Sequence, residues 1–265
     1  MAKTNSPANR YAAIIARIFS DRWSKKKREF EFARGDIESV AAELAIVLPK
    51  NMGDLIYSFR FRVPLPKAIL DTQPAGLEWI IEGAGKARYR FRLVKLTRIV
   101  PSANLLETAI PDATPELIRA YALDDEQALL AIVRYNRLID TFLGLTTYSL
   151  QNHLRTTVKG VGQIEIDELY IGLDKYGCHY VIPVQAKGGK DKIGAVQTAQ
   201  DLAFAAEKFP AMRCRPIAAQ FMAGGTVALF ELALIDSEVK VVEERHYRLV
   251  PADRLDQKAI RNYVS

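Results

Sequence analysis

Gln163-Ile164-Glu165-Ile166-Asp167-Glu168-Leu169-Tyr170-Ile171 is followed by Asp174-Lys175-Tyr176-Gly177 and then by His179-Tyr180-Val181-Ile182-Pro183-Val184-Gln185-Ala186-Lys187. The first block alternates polar and apolar residues and is rich in β-formers, the second is turn chemistry, and the third is an apolar run closed by Gly188-Gly189. Together they predict a β-hairpin. A turn centred between residues 175 and 176, or on 176, pairs positions whose numbers sum to 351 or 352, so Asp167 lies opposite Val184 or Gln185. Gln185 and Lys187, two positions apart, share one strand face. A carboxylate, an amide oxygen and an ammonium are thus expected in one small patch.

Phosphodiester hydrolysis uses such a patch. A carboxylate and a second oxygen ligand hold Mg²⁺ beside the scissile phosphate, where the ion acidifies a bound water and offsets charge on phosphorus. A lysine nearby orients the water and stabilises the developing charge. Asp167 followed eighteen residues later by Gln185-Ala186-Lys187 across a hairpin resembles the PD-(D/E)xK nuclease superfamily, and within it the Mrr-like restriction endonucleases, whose second motif is commonly Gln-x-Lys. The resemblance spans about residues 115–235. It takes in an apolar helix from Ile193 to Phe209 and strands at Pro216 to Phe221 and Val227 to Ile235. Carried over, it implies Asp167 as metal-binding aspartate, Gln185 as second ligand and Lys187 as catalytic lysine, with Glu165, on the same strand face, assisting through a water. The family proline is absent, since Ile166 precedes Asp167. Glu165, Asp167 and Glu168 all remain open as the primary ligand. A neutral amide at 185 attracts Mg²⁺ less than an acid would. The bland alternative is an ordinary hairpin with a polar outer face.

The N-terminal part has a different character. Residues 1–98 carry 19 Lys and Arg against 10 Asp and Glu, whereas residues 99–265 carry 18 against 21, which accounts for the whole-chain net charge of +6. A basic module joined to a mildly acidic one suits a polyanion binder attached to a second domain. Helical spacing runs from Arg10 to Trp23, Glu29-Phe30-Glu31-Phe32 alternates as a short strand, and Asp36 opens a helix reaching about Val47. A further helix follows from about Asn51 to Phe61, stopped by Pro64 and Pro66. Two strands, 77–81 and 87–93, flank the turn Gly83-Ala84-Gly85-Lys86. This order resembles a winged-helix domain. The resemblance implies that the helix at 51–61 enters the major groove. Its contacts would be Lys50, Asn51, Tyr57, Arg60 and Arg62, with Lys86, Arg88 and Arg90 on the hairpin. Solvated surface is the competing account of each arginine.

The expected architecture is therefore α/β. An α+β winged-helix-like domain (1–98) and a linker (99–113, with two prolines) precede a restriction-endonuclease-like mixed sheet flanked by helices (114–265). Helical periodicity is expected, with breaks, from 115 to 143 and again from Leu150 to Thr156. The function implied is a Mg²⁺-dependent, type II-like restriction endonuclease acting on double-stranded DNA. A homodimer is expected, because cutting two strands calls for two sites, and a companion DNA methyltransferase is implied. The rival classes are a winged-helix nucleic-acid-binding regulator with a silent C-terminal domain and a structure-specific repair nuclease.

At 49% hydrophobic and 26% charged the chain is globular. It has no bilayer-length apolar run and no signal-peptide core at its start, so a soluble, cytoplasmic protein is expected. Two cysteines (Cys178, Cys214) and three histidines exclude a disulfide scaffold and a Cys-rich zinc site. His153, read as helical, and His179 and His246 are taken as surface. No G-x-x-x-x-G-K-S/T loop is present, which argues against ATP-driven chemistry.

Overall fold

The computed structural model describes residues 7–50, 52–61, 63–95, 98–121, 126–188, 193–235 and 238–256. The chain divides into two compact units, residues 1–96 with 157–163, and residues 97–156 with 164–265.

In the first unit, α1 (Pro7–Arg22) precedes β1 (Glu29–Ala33), α2 (Arg34–Glu43), α3 (Met52–Phe61), a single turn α4 (Lys67–Leu70), β2 (Leu77–Gly83) and β3 (Arg88–Lys95). The helices form where the sequence repeats apolar residues at helical spacing. Ile14, Ile15, Ile18 and Phe19 of α1, Ile37, Val40 and Ala41 of α2, and Leu55, Ile56 and Phe59 of α3 are all buried. Asp36 accepts from the Ala33 amide at 2.6 Å and caps α2. α2 ends at Glu43, short of the expected Val47, with Ala45 at φ 52°. The three strands pair antiparallel in the order β1-β3-β2. Alternation along β1 buries Phe30 and Phe32. These rings and Phe19 surround Phe91, at centroid distances of 5.3, 5.1 and 5.1 Å.

The second unit holds β4 (Arg98–Ile99), β5 (Glu107–Pro111), α5 (Glu116–Tyr121), α6 (Glu126–Tyr135), α7 (Leu138–Leu143), β6 (Thr146–Val158), β7 (Gly162–Leu173), β8 (His179–Lys187), β9 (Ile193–Gly194), α8 (Ala195–Lys208), β10 (Arg213–Cys214), β11 (Ile217–Phe221), β12 (Thr226–Ile235) and β13 (Glu238–Val250). Its main sheet runs β5-β13-β12-β11-β8-β7-β6, with β10 also on β8. It is mixed: β7/β8, β11/β12 and β12/β13 are antiparallel, whereas β8/β11 and β5/β13 are parallel. Alternate residues of the central strands serve opposite layers. Ile182, Val184, Ala186, Ile217, Ala219, Val227 and Leu229 pack with Leu129, Leu130, Val133, Leu138 and Ile139 of α6 and α7. Ala218, Ala228, Phe230 and Leu232 form a second cluster with Ile99 and Val239. The result is a mixed α/β fold, a large sheet flanked by helices, as expected. No helix among the described residues is long and apolar enough to cross a membrane.

Three expectations need correction. Residues 99–113 are not a free linker: Glu107–Pro111 pairs in parallel with His246–Val250, and β4 pairs β9. The prolines at 101 and 111 hid a strand whose partner lies more than a hundred residues away. Residues 150–156 belong to strand β6 and are not helical. Their polar surface mimics a solvated helix face, and His153 sits there at φ 48°. The charged stretch around His246 is strand β13, in which His246 is buried and bonded to Glu244 at 2.8 Å.

The β7–β8 turn is set by Asp174. Its Oδ1 accepts from the amides of Cys178 (2.9 Å) and Tyr176 (2.8 Å), and its Oδ2 accepts from the Tyr180 hydroxyl (3.1 Å). These bonds, led by that of Cys178, hold the carboxyl below its ordinary value. A depressed folded pKa stabilises above the unfolded value of about 3.9 and loses that contribution as pH falls through the folded value. Acid denaturation below about pH 4 should therefore be steeper for the native chain than for Asp174→Asn in a pH series of urea melts. Removal of the ring at the centre of the first unit, Phe91→Ala, is expected to lower unfolding stability by about 3–5 kcal/mol in the same assay.

Candidate active site

The β7–β8 ladder pairs Glu168 with Val184 and Leu169 with Pro183. One further step in that register puts Asp167 opposite Gln185, the second of the two alternatives the sequence allows. Asp167 is itself tied to this end of β8, where the Ala186 amide donates to its Oδ2 at 2.9 Å. Gln185, on a central strand buried along nearly its whole length, is 2% exposed. Its Nε2 donates to Asp201 Oδ2 of α8 at 2.5 Å, and its Oε1 is buried with no hydrogen-bond partner. Lys187, two residues on, reaches Glu126 in the first turn of α6, Nζ to Oε1 3.0 Å. β11 lies on the other side of β8, with Gln220 beside Lys187 in register.

The three acids of β7 separate by face. Glu168 is wholly buried, accepts from Arg134 Nε (2.9 Å) and Ser149 Oγ (2.5 Å), and belongs to the layer of α6. It is a structural ion pair and lies away from Asp167's face of the strand. Glu165 is held by Arg155 (3.2 Å) and approached by His153 (3.7 Å). Asp167 is the acid that meets Gln185.

Burial raises the Asp167 carboxyl above its ordinary value. The Ala186 amide and Lys187 oppose that rise, while Glu126 and Glu165 add to it. Asp201 is raised well above, again by burial, with the Gln185 bond opposing. In both acids lost hydration is the main reason that the charged form is disfavoured.

Among the described residues, no three His, Cys, Asp or Glu side chains group as a metal site by themselves. A hard dication, however, also takes amide oxygen. The orphaned Gln185 Oε1 beside Asp167, with Glu126 within reach of the same lysine, is a donor set that fits Mg²⁺.

Glu126 and Asp201 were not among the residues singled out from sequence. Asp201 carried a readable signal: with Thr198, Phe204 and Ala205 it falls on the buried stripe of α8, where an unpaired acid is costly. Glu126 had none beyond its place at a helix start.

The nucleic-acid contacts expected in the first unit are placed as follows. Lys50 is exposed ahead of α3, and Lys86 is exposed at the β2–β3 turn. Tyr57 is half-buried on α3. Arg60 is also half-buried, and burial lowers its pKa, with Glu82, Tyr89 and Tyr57 acting against that. Arg88 faces Glu31 (3.7 Å), Arg90 faces Glu29 and Glu82 (3.4 Å each), and Arg92 faces Glu82 (3.1 Å). Asn51 and Arg62 lie outside the described residues.

Comparison of the chain with family models, with curated proteins and with solved structures finds no match.

The assignment of Glu168 is testable. Arg134→Met strands a buried carboxylate and is expected to cost about 1–3 kcal/mol in urea unfolding. Adding Glu168→Leu should recover most of that loss.

Proposed function

We propose that this chain is a Mg²⁺-dependent endonuclease of restriction type that hydrolyses phosphodiester bonds in double-stranded DNA. One observation carries the reading. Register sets Asp167 opposite Gln185, Lys187 follows two positions on along the same strand face, and the Gln185 amide oxygen is buried and unpartnered. That is the juxtaposition the PD-(D/E)xK resemblance requires. Asp167 and Gln185 would hold the ion, with Glu165 assisting through a water. When bound, Mg²⁺ polarises the scissile phosphate and acidifies the attacking water. Lys187 supplies a fixed positive charge beside the phosphate, where it steadies the water and the charge that builds on phosphorus. Its partner Glu126 holds the ammonium in place before substrate arrives.

The first unit supports the DNA half of the reading. Its order α1-β1-α2-α3-β2-β3, with a three-stranded antiparallel sheet, is the element order of a winged-helix domain. Lys25, Lys26, Arg28, Lys50 and Lys86 are exposed and available to phosphates. Action on both strands makes a homodimer part of the proposal.

Incubation of plasmid and phage DNA with the purified chain and Mg²⁺ should give discrete fragments. Lys187→Ala should cut at least about a hundredfold more slowly, while still binding DNA in a salt-dependent way. Equal cutting by the variant at equal purity would remove Lys187 from the reading, and salt-dependent binding without cleavage in any divalent ion would replace the enzyme with a binding protein.

A further inference from the structure

Resting on the reading above, we propose that Asp201 is a positioning residue that fixes which end of the Gln185 amide faces Asp167, and that its presence explains a glutamine rather than a glutamate at 185. The two ends of a glutamine amide are nearly equal in size and opposite in function: the oxygen can ligate a hard dication, and the NH₂ group cannot. Something must therefore hold the amide one way round. Asp201 Oδ2 takes the Nε2 end at 2.5 Å. Gln185 and Asp201 are each 2% exposed, so bulk water does not compete for the bond between them. With Asp201 ionised, a half-turn of the amide would set Oε1 against a carboxylate oxygen, acceptor against acceptor, and would aim the NH₂ group at the cation site. In the orientation present, Oε1 is the buried atom left without a partner. It lies on the strand position paired with Asp167, ready for a cation to satisfy it.

The same geometry explains the residue at 185. A glutamate there would bring a second carboxylate within hydrogen-bond distance of Asp201 in a buried setting, where like charges repel and both lose hydration. The neutral amide donates to Asp201 through one end and offers an oxygen through the other. The acid is still present, one layer further back, on α8.

The test is Ca²⁺ binding to the full chain by titration calorimetry without DNA, a readout independent of cleavage. Asp201→Ala should weaken Ca²⁺ binding about tenfold or more, with its circular dichroism and melting still those of a folded chain. The double variant Gln185→Glu/Asp201→Asn reverses the polarity of the pair: the asparagine amide donates to one glutamate oxygen and the other faces Asp167. It should bind Ca²⁺ at least as tightly as the native chain. Native affinity in a folded Asp201→Ala variant, or a folded double variant that binds no better than Asp201→Ala, overturns the proposal. If Asp201→Ala does not fold, the double variant decides. A native chain that takes up no Ca²⁺ at millimolar concentration overturns the proposed function itself, a result distinct from native binding that Asp201 does not influence.

Discussion

The register between β7 and β8 is the constraint from which the candidate site follows. Strand side chains alternate, so a shift of one residue would send Asp167 to the layer of α6 and bring Glu168, now buried against Arg134, to the other face. Two local features prevent that shift. Asp174 closes the turn with three hydrogen bonds, and the Ala186 amide is tied to Asp167 itself. Burial completes the specification, because every alternate residue of β8 has an apolar neighbour on α6, α7 or β11 that a slipped strand would lose.

Charge is managed differently in the two units. On the three-stranded sheet of the first, arginines of β3 alternate with glutamates of β1 and β2 in an exposed ladder. Such pairs contribute little to stability each, but they neutralise much of the basic excess on that face. Exposed positive charge remains at Lys25, Lys26, Arg28, Lys50 and Lys86. In the second unit acids are concentrated instead. Asp167, Glu126, Glu165 and Asp201 lie around one lysine, Glu165 being balanced in part by Arg155.

Much of this was legible in the sequence because it is written locally. The aromatic alternation of β1, the turn at Asp174 and the helical spacing of α1, α2 and α8 each carry their own period. Counting across the turn narrows the position opposite Asp167 to Val184 or Gln185, and the register of the ladder takes the second. What was missed depends on distant partners. Polar β6 is a strand because β7 is beside it, and Glu107–Pro111 is one because β13 offers an edge. Lys187's partner arrives from a helix sixty-one residues upstream. No window of sequence contains both halves of those contacts. The hairpin arginines stand apart: Arg88 and Arg90 lie on β3, but Glu29, Glu31 and Glu82, which alternation alone could have placed opposite them, share their charge.

The edge position of β5 has a consequence for how this protein can be dissected. The segment joining the two halves of the chain is also the outermost rung of the sheet, bonded along His246–Val250 and continued by the Asp112 amide to the Val250 carbonyl. A fragment starting at Thr114 would leave β13 with a bare edge, open to pairing with other chains. During synthesis β5 emerges long before β13 and must wait for it. A cut that keeps this rung with its sheet thus falls ahead of Arg98, upstream of the stretch that composition alone marks as the seam.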